Sequence, residues 1–406
     1  MRSDLSRRQW LATAGAVAGV TLASRRARSA AAPSAKVTVS RCPTYGPEIV
    51  TVLEKMMDQL GGLGGLVKNK TVAVKINCIG NPWERFDPYP LEDTFWTHPR
   101  AFGALVHLLG KAGAHRIRVV EGGMSTCEPL QEWMLSVNWR PQDIANAAKN
   151  VEFENTNYLG YGKKYSRMKV SYGGYIFPAF DLNHSYEDCD VFVSFAKLKE
   201  HNTTGITLSM KNVYGTTPTA IYGDGVADEP LPRPRGSRVG TFHFGRKQPP
   251  KGVPPEKDPT TPRTAVYRIP RIVVDTVGAR PVDLALIDGI RTITGGETPA
   301  QTAMEAVSPG VLIAGTNCVS TDAVGLAVMG YDPMADQGQE PFSRTGGRGD
   351  NNQCDSMLRL AEDVGLGTRD LKKIEVIGTP ISEVRFDFLA YRQKFRRQAT
   401  EAAKRG

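Results

Sequence analysis

The chain has 406 residues, of which 40% are hydrophobic and 23% are charged, proportions that are typical of a soluble globular protein. Its length predicts two domains, or one large domain with insertions. The formal net charge is +9, but residues 1–31 hold six arginines and one aspartate, so the remaining residues hold 45 basic and 41 acidic side chains. That balance excludes a general nucleic-acid surface, and we expect no nucleic-acid partner.

The first 31 residues have the pattern of an export signal. Arg7 and Arg8 precede a mildly hydrophobic stretch, residues 11–23, and small residues at 29–32 offer a cleavage site. The paired arginines resemble a twin-arginine signal, so we expect the twin-arginine translocation machinery as a partner and a periplasmic or extracellular location. The apolar stretch is too short for a permanent membrane span. An uncleaved membrane anchor is the alternative.

Six cysteines follow the predicted signal, and they are widely scattered. No two of them form a C-x-x-C pair, so the sequence has no iron–sulfur motif and no zinc ribbon. An oxidising destination permits disulfides, but the spacing does not pair them. The positions are Cys42, Cys78, Cys127, Cys189, Cys318 and Cys354.

Short β-branched segments alternate with helical patterns along the chain. This alternation predicts an α/β fold with a mainly parallel sheet flanked by helices. The predicted strands of that sheet are residues 72–76, 117–120, 191–195, 284–287 and 311–314, and a first strand is expected at residues 36–40.

Apolar periodicity predicts the main helices between these strands. They are residues 47–60, 97–112, 267–278 and 323–329. Thr97 is the expected cap of the second helix, and Ser320, Thr321 or Asp322 is the expected cap of the last one.

A proline-rich segment interrupts the pattern. Residues 230–262 hold nine of the 27 prolines, which excludes a continuous helix or an inner strand there. We expect an insertion loop at residues 216–265, either a functional lid or a mobile surface. The α/β domain would then cover residues 36–380, with a charged C-terminal tail at residues 381–406.

The central stretch combines a strand with polar side chains. After residues 191–195 come Lys197, Lys199 and His201, and a helix is predicted to open at residue 202 and to carry Lys211. Ligands of open α/β sheets bind where strands pass into helices. Two lysines, a histidine and the free N–H groups of a helix start would attract an anion. The alternative is a solvated edge with an ordinary loop histidine.

Six sequence motifs follow one another in a familiar order. They are V-K-I-N at 74–77, T-H-P at 97–99, a strand ending at Glu121, K-L-K-E-H-x-x-T-G-x-T-L-S-x-K-N-x-x-G at 197–215, I-D-G at 287–289 and S-T-D-A-V-G-x-A-x-M-G-Y-D-P at 320–333. Together they resemble the domain of unknown function 362 (DUF362) family, and the block at 197–215 is the specific part. The resemblance implies a fold and a site more than an activity. Some relatives add a ferredoxin-type cluster domain, whose motif this chain lacks.

A fainter similarity links the same block to the lactate racemase family. There a lysine on a glycine-containing helix holds a nickel-pincer cofactor, and histidines transfer protons. His201, Gly205 and Lys211 would take the corresponding places here. The other histidines lie in unlike contexts, so the sequence offers no clear second and third histidine.

Polar residues at the predicted strand ends are expected to meet in one pocket. Carboxylates with an imidazole suit a divalent metal, although the sequence leaves the cofactor unknown, whereas lysines suit an anion. A buried lysine would also serve as a base or a nucleophile. The predicted roles are catalytic for Lys199, His201 and Lys211, substrate-binding for Lys75, Asn77, Thr204 and Asn212, and metal-binding for Glu121, Asp288 and Asp322. Each carboxylate has a structural alternative: a solvated strand end, a turn and a helix cap, respectively.

Two classes of function stay open at this point. One is an exported enzyme, an oxidoreductase or a racemase, that binds a metal or redox cofactor and a small anionic ligand as substrate. The other is a non-catalytic periplasmic protein that binds a ligand or delivers a cofactor. The enzyme hypothesis predicts a site closed from water by the proline-rich insertion, and the binding hypothesis predicts an open cleft.

Overall fold

The three-dimensional structure is a computed structural model that describes most of the chain after the predicted export signal. It describes residues 35–80, 86–123, 129–137, 139–157, 159, 164–226, 236–297, 304–343 and 353–394. The signal at residues 1–31, Cys127, part of the insertion and the last twelve residues of the tail lie outside these ranges.

Fourteen strands occur in the described ranges, and eight of them form one sheet. In chain order the strands are β1 (Ala35–Arg41), β2 (Thr71–Lys75), β3 (Arg116–Glu121), β4 (Val151–Asn155), β5 (Ser166–Lys169), β6 (Ala179–Leu182), β7 (Val191–Lys197), β8 (Glu200–His201), β9 (Gly205–Ile206), β10 (Leu284–Gly289), β11 (Thr292–Thr294), β12 (Glu305–Val307), β13 (Val311–Gly315) and β14 (Ile374–Gly378). The sheet order is β14-β1-β13-β10-β7-β2-β3-β4. The other strands form two-stranded ribbons that pair β5 with β6, β8 with β9 and β11 with β12.

The sheet is mainly parallel, as predicted. Strand β13 runs antiparallel to both of its neighbours, β1 and β10, and the other adjacent pairs are parallel. The five strands that the sequence predicted all belong to this sheet. Strand β7 is buried along its whole length, which explains its nearly continuous apolar sequence, since parallel strands are covered on both faces.

Eleven bounded α-helices lie in the described ranges and cover both faces of the sheet, and residues 388–394 at the end of the described tail are also helical. They are α1 (Glu48–Gln59), α2 (Leu63–Val67), α3 (Pro99–Lys111), α4 (Leu130–Leu135), α5 (Pro141–Asn146), α6 (Leu208–Val213), α7 (Thr219–Tyr222), α8 (Ala265–Ala279), α9 (Cys318–Val328), α10 (Met357–Asp363) and α11 (Ile381–Val384). None of the described helices has the length and apolarity needed to cross a membrane.

The sheet separates two hydrophobic cores, one on each of its faces. Val72 and Val74 of β2 point into one core with α1 and α3, whereas Ala73 points into the other with α6, α8 and α9. Successive side chains of a strand point to opposite faces, so neighbouring residues of one strand belong to different cores. We call the two faces of the sheet the α1/α3 face and the α6/α9 face.

Both predicted helix caps are wrong. Helix α3 is capped by His98, whose Nδ1 accepts the N–H of Arg100 at 3.1 Å, while Thr97 donates to the Phe195 carbonyl at 3.1 Å. Helix α9 begins earlier than expected and is capped by Asn317, whose side chain accepts the N–H of Ser320 at 3.0 Å. Ser320, Thr321 and Asp322 therefore lie inside the helix.

The central helix begins at Leu208, not at residue 202. The intervening residues form the ribbon of β8 and β9, in which Gly205 has φ 74° and a Cβ would lie 2.7 Å from the Phe342 ring. This conformation and this close approach favour glycine. The ribbon separates the start of the helix from the polar elbow that the sequence suggested.

Helix α6 receives its N-terminal cap from another helix. Asp322 of α9 accepts the N–H of Ser209 and the N–H of Met210, each at 2.8 Å. A capping carboxylate satisfies donors that the helix itself leaves open. The expectation that these N–H groups attract a ligand anion is therefore wrong, because Asp322 already binds them.

The insertion is fixed to the rest of the domain by a buried arginine. Its described part contains α7 and a π-helical turn, Val239–His243. Arg268 of α8 donates to the carbonyls of Phe242 at 2.9 Å and Thr241 at 3.2 Å, and it pairs with Glu256 at 3.0 Å. These contacts hold the π-helical turn beside the sheet.

Candidate functional site

A cavity of about 240 Å³ lies at the carboxyl ends of β2, β3 and β7. In parallel α/β sheets this edge is the usual place for a ligand. Seven of the ten predicted site residues line the cavity, namely Lys75, Asn77, Glu121, Lys199, His201, Lys211 and Asn212. The structure thus brings together groups that are up to 137 residues apart in the sequence. We call this cavity the lysine pocket.

Lys75 forms one wall of the lysine pocket through a buried ion pair. Its Nζ contacts Glu121 Oε1, donates to the Ile76 carbonyl at 2.7 Å and lies 3.3 Å from Asn212 Oδ1. The second oxygen of Glu121 accepts the N–H of Cys78 at 2.9 Å. Burial lowers the pKa of Lys75, and Glu121 opposes that shift. Lys75 is therefore a fully partnered cation that joins β2, β3 and α6.

A glycine of the family motif allows the close contact at this wall. A Cβ on Gly215 would lie 2.9 Å from Lys75 Nζ and 3.3 Å from Glu121 Oε1. A side chain at that position would push against the ion pair. The final glycine of K-N-x-x-G is consequently explained by the packing of the site.

Lys211 differs from Lys75 because its ammonium group lacks a partner. Within the described residues its Nζ has no hydrogen-bond acceptor and no ion pair, and it lies 4.2 Å from the centre of the Tyr214 ring. Burial lowers its pKa to about 8; Glu297 opposes the shift, and Arg238 and Lys75 reinforce it. The residue as a whole is 9% exposed, and it lines the lysine pocket.

Lys199 has hydrogen-bond partners, yet its charge is not neutralised by direct contact. Its Nζ donates to Thr207 Oγ1 at 3.1 Å and to the Glu297 carbonyl at 3.4 Å. Burial lowers its pKa to about 7; the charge of Glu297 acts against the shift, and Lys211 adds to it. Near neutral pH the amine therefore exists in both protonation states.

His201 lies on the ribbon beside Lys199. Its Nδ1 accepts the N–H of Thr203 at 3.0 Å and lies 3.5 Å from Glu297 Oε2. The same Glu297 oxygen accepts the N–H of Asn202 at 2.7 Å. An Nδ1 that accepts a hydrogen bond leaves the proton of a neutral imidazole on Nε2.

The lining residues that were not predicted from the sequence include Tyr214, Arg238, His243 and Glu297. Arg238 donates to the carbonyls of Thr217 and Gly122 and to Asn157 Oδ1 at 2.9 Å. Arg238 and His243 come from residues 235–248, a proline-free run inside the proline-rich insertion. The absence of proline from this run was the sequence feature that could have indicated an ordered segment. Glu297 follows the two glycines of a loop that the sequence left without a role.

His243 adds a second imidazole to the lysine pocket. Burial, assisted by the charge of Lys211, lowers its pKa to about 4, so the ring is neutral at pH 7. Its Nδ1, Asn77 Oδ1 and Tyr214 OH are buried and have no hydrogen-bond partner within the described residues. Unsatisfied buried polar atoms are rare and need an explanation. Together with Lys211, they line a cavity that is equipped for a polar ligand.

Three predicted site residues do not line the lysine pocket. Thr204 Oγ1 donates to the Ile206 carbonyl at 2.9 Å within the ribbon. Asp322 lies under the start of α6, where burial raises its pKa to about 7. Asp288 lies on the α1/α3 face, where it pairs with Lys197 at 3.0 Å and accepts from Tyr45 OH at 2.9 Å.

The predicted metal ligands are consequently not assembled. Glu121 pairs with Lys75, Asp288 with Lys197, and Asp322 with the backbone of α6. Over the described ranges, no three His, Cys, Asp or Glu side chains form a group that could hold a metal ion. The reason is geometric, because Glu121 ends β3, Asp288 is held by Lys197 on β7, and Asp322 belongs to helix α9.

The fold and the pocket define an α/β protein with a polar site at the carboxyl edge of its sheet. The sequence model described as Domain of unknown function (DUF362) matches residues 72–327, which is more than half of the chain. The chain therefore belongs to this family. The match contains β2 through most of α9, and hence every residue that lines the lysine pocket.

Other comparisons show only a distant likeness. A protein from Thermotoga maritima, whose crystal structure was determined by a structural genomics consortium, shares 16% identity with this chain at a TM-score of 0.32. The alignment covers 63% of this chain and 52% of the other, so the chain spans about half the length of that protein. Curated proteins give no match.

Proposed function

We propose that this chain is an exported enzyme that binds a small organic anion in the lysine pocket and uses Lys199 or Lys211 for proton transfer. The observation that carries the proposal is the buried ammonium of Lys211, which has no acceptor within the described residues. An unpaired buried charge costs several kcal/mol. An anion beside Lys211 removes most of that cost.

The charge balance of the lysine pocket supports the same ligand. Among the described residues, four basic side chains line it, against two carboxylates; they are Lys75, Lys199, Lys211 and Arg238 against Glu121 and Glu297. An excess of positive charge in a low-dielectric cleft attracts anions. The cavity of about 240 Å³ is below the range of roughly 300–1,000 Å³ for drug-sized ligands, so a metabolite-sized acid or phosphate fits it.

An enzyme is favoured over an open binding cleft by the seclusion of the site. Lys75, Lys199, His201, Lys211 and Asn212 are all buried, and Arg238 and His243 of the insertion form one wall. Electrostatic stabilisation is strongest where water is excluded. Lysines with pKa values of about 7 and 8 are also suited to general acid–base chemistry near neutral pH.

A binding or cofactor-delivery protein is the second candidate. It is favoured by one observation: across the described residues, no acid or base lies within hydrogen-bonding distance of Lys211 Nζ. A catalytic base usually has such a neighbour. Turnover of any small acid would decide between the two candidates, since a pure binding protein releases its ligand unchanged.

The anion proposal is tested by calorimetric titration with sulfate, which stays fully ionised across the working pH range. The wild-type protein should bind sulfate with a saturable isotherm at pH 7. Lys211→Met should weaken that binding at least tenfold. Lys111→Met is the matched control, because Lys111 is exposed and pairs with Glu54 on the surface. Absence of sulfate binding, or equal binding by the Lys211→Met variant, would contradict the proposal.

The bound metal or redox cofactor has less support. The predicted ligands are divided between the two faces, and the described residues provide no three-ligand group. Elemental analysis of the exported, folded protein tests this part separately. A metal present in equimolar amount would support a bound metal cofactor.

Export to the periplasm is proposed from Arg7 and Arg8, which precede a short apolar stretch. Replacing both residues by lysine should leave the precursor in the cytoplasm, because the twin-arginine machinery reads the arginine pair. Fractionation of cells that produce each form measures the effect. Unchanged export of the Arg7→Lys/Arg8→Lys variant would reject the assignment.

A further inference from the structure

The described end of the C-terminal tail is attached to the C-terminal end of α9. The N–H of Phe386 donates to the Val328 carbonyl at 2.8 Å, and the N–H of Phe388 donates to the Met329 carbonyl at 3.1 Å. Phe388 is fully buried, and residues 388–394 are helical. These contacts bring Arg392 into the protein interior, where it is 7% exposed.

Arg392 neutralises a buried carboxylate of the family motif. Its Nη1 lies 3.1 Å and 3.3 Å from the two oxygens of Glu200, a residue that is fully buried. Glu200 also accepts hydrogen bonds from Tyr331 OH at 2.5 Å, from Thr294 Oγ1 at 2.7 Å and from the N–H of Gly295. The carboxylate therefore joins three separate parts of the chain.

One of those parts, and the ribbon that carries Glu200 itself, hold residues of the lysine pocket. Glu200 lies between Lys199 and His201 in the sequence, and Gly295 lies two residues before Glu297. Glu297 in turn accepts from Lys199 through its carbonyl and from the N–H of Asn202 through its carboxylate. Arg392 is thus connected to the pocket through its contacts with Glu200, the hydrogen bond from Gly295 to Glu200, and the backbone of residues 199–201 and 295–297.

Arg392 supplies positive charge directly to the buried Glu200. A fully buried carboxylate is tolerated when a cation and hydrogen-bond donors compensate it. In the described part of the chain, Arg392 contacts both oxygens of Glu200. Removing Arg392 takes away that charge and that two-point contact, so the ribbon and the Glu297 loop that Glu200 holds should lose order.

We propose that Arg392 is a positioning residue for the lysine pocket and that the C-terminal tail forms part of the site's framework. The inference rests on the proposed anion binding in that pocket. Arg392 touches no ligand; it acts through Glu200 on Lys199, His201 and Glu297.

The test uses the full chain with single substitutions and sulfate as the probe. Arg392→Met should weaken sulfate binding at least tenfold, and Arg392→Lys should stay within about threefold of the wild type. Arg385→Met is the matched control on the same tail, because Arg385 is half exposed and donates to the Gly330 carbonyl. Hydrogen exchange at residues 197–206 and 292–297 should be faster in Arg392→Met, with β3 unchanged.

A double variant keeps the test decisive if Arg392→Met folds poorly. Glu200→Gln/Arg392→Met removes both charges and keeps an oxygen that accepts hydrogen bonds, so it should regain most of the lost melting temperature and sulfate affinity. If the double variant instead loses as much as the two single changes combined, the inference is wrong. It is also wrong if Arg392→Met binds sulfate like the wild type. Failure of the wild type to bind sulfate would count against the proposed function instead.

Discussion

Two buried lysines on opposite faces of the same sheet show what separates a structural cation from a functional one. On the α1/α3 face, Lys197 donates all three of its hydrogens: to Tyr45 OH at 3.0 Å, to the Glu92 carbonyl at 2.8 Å and to Asp288 at 3.0 Å. On the α6/α9 face, Lys211 has only an aromatic ring beside it within the described residues. Both lysines are buried, and they differ in the hydrogen-bond partners of their ammonium groups.

The comparison shows that burial and family motif do not by themselves identify a functional lysine. Both residues belong to the block at 197–215, and burial lowers the pKa of both. A cation whose donors are all used holds the fold together, because the protein already compensates its desolvation. The desolvation of a cation without acceptors can instead be compensated by a bound anion.

The largest effect is expected for Lys197→Met. The substitution leaves Asp288 fully buried without its cation, and removing one partner of a buried pair costs about 3–5 kcal/mol. Urea unfolding should therefore show a large loss in the free energy of unfolding. A loss below about 1 kcal/mol would show that Tyr45 and the backbone donors satisfy Asp288 without Lys197. Lys197 would then not be a structural cation.

Lys211→Met should change stability in the opposite direction. The pKa of Lys211 falls from 10.5 to about 8 on folding, and at about 1.4 kcal/mol per unit its ammonium costs the folded state up to about 3 kcal/mol at pH 7. Between about pH 8 and 10.5 the unfolded chain keeps the proton that the folded chain has lost, so wild-type stability rises with pH across that window. The gain of the variant should therefore disappear near pH 10.5.

This second effect is measured by urea unfolding at pH 7 and pH 10 in buffer without multivalent anions. Lys111→Met serves as the control, since that lysine is exposed. A Lys211→Met variant that is less stable than the wild type at pH 7 would mean that the ammonium has an acceptor after all.

A smaller effect is expected for Asp322→Asn, which separates helix capping from ligand binding. Both oxygens of Asp322 face donors at the start of α6, and an amide group places its own hydrogens against one of them. The loss should be about 1–3 kcal/mol, with unchanged affinity for sulfate. A variant of normal stability that no longer binds sulfate would show that Asp322 takes part in ligand binding.

Much of the fold could be predicted because the strands are buried on both faces. Val191 to Phe195 and the other β-branched runs have strand character over their whole length, and their alternation with helices leaves few topologies. The antiparallel direction of β13 could not be predicted, since nothing in Val311–Gly315 encodes direction. A ribbon as short as β8 and β9 likewise has no periodicity to detect.

The sequence predicted the edge of the sheet at which the site lies. It did not predict on which face of the sheet each polar side chain lies. Lys75 and Lys199 meet because the ends of parallel strands share an edge of the sheet, and Lys211 joins them from helix α6. Asp288 is directly opposite Lys197 in the register, and a strand that is apolar on both faces does not show which face its last residue takes. Arg238 and His243 were missed because their place depends on a tertiary contact between Arg268 and the Phe242 carbonyl, which no sequence pattern shows.

The central claim is that the ammonium of Lys211 awaits an anion, and the pKa of its Nζ measures this most directly. Nuclear magnetic resonance of protein with labelled lysine, assigned by comparison with Lys211→Met, should give a pKa of about 8 without ligand. Saturating sulfate should raise that pKa by at least one unit, because a nearby anion favours the charged form. A pKa close to 10.5 that sulfate leaves unchanged would contradict the account.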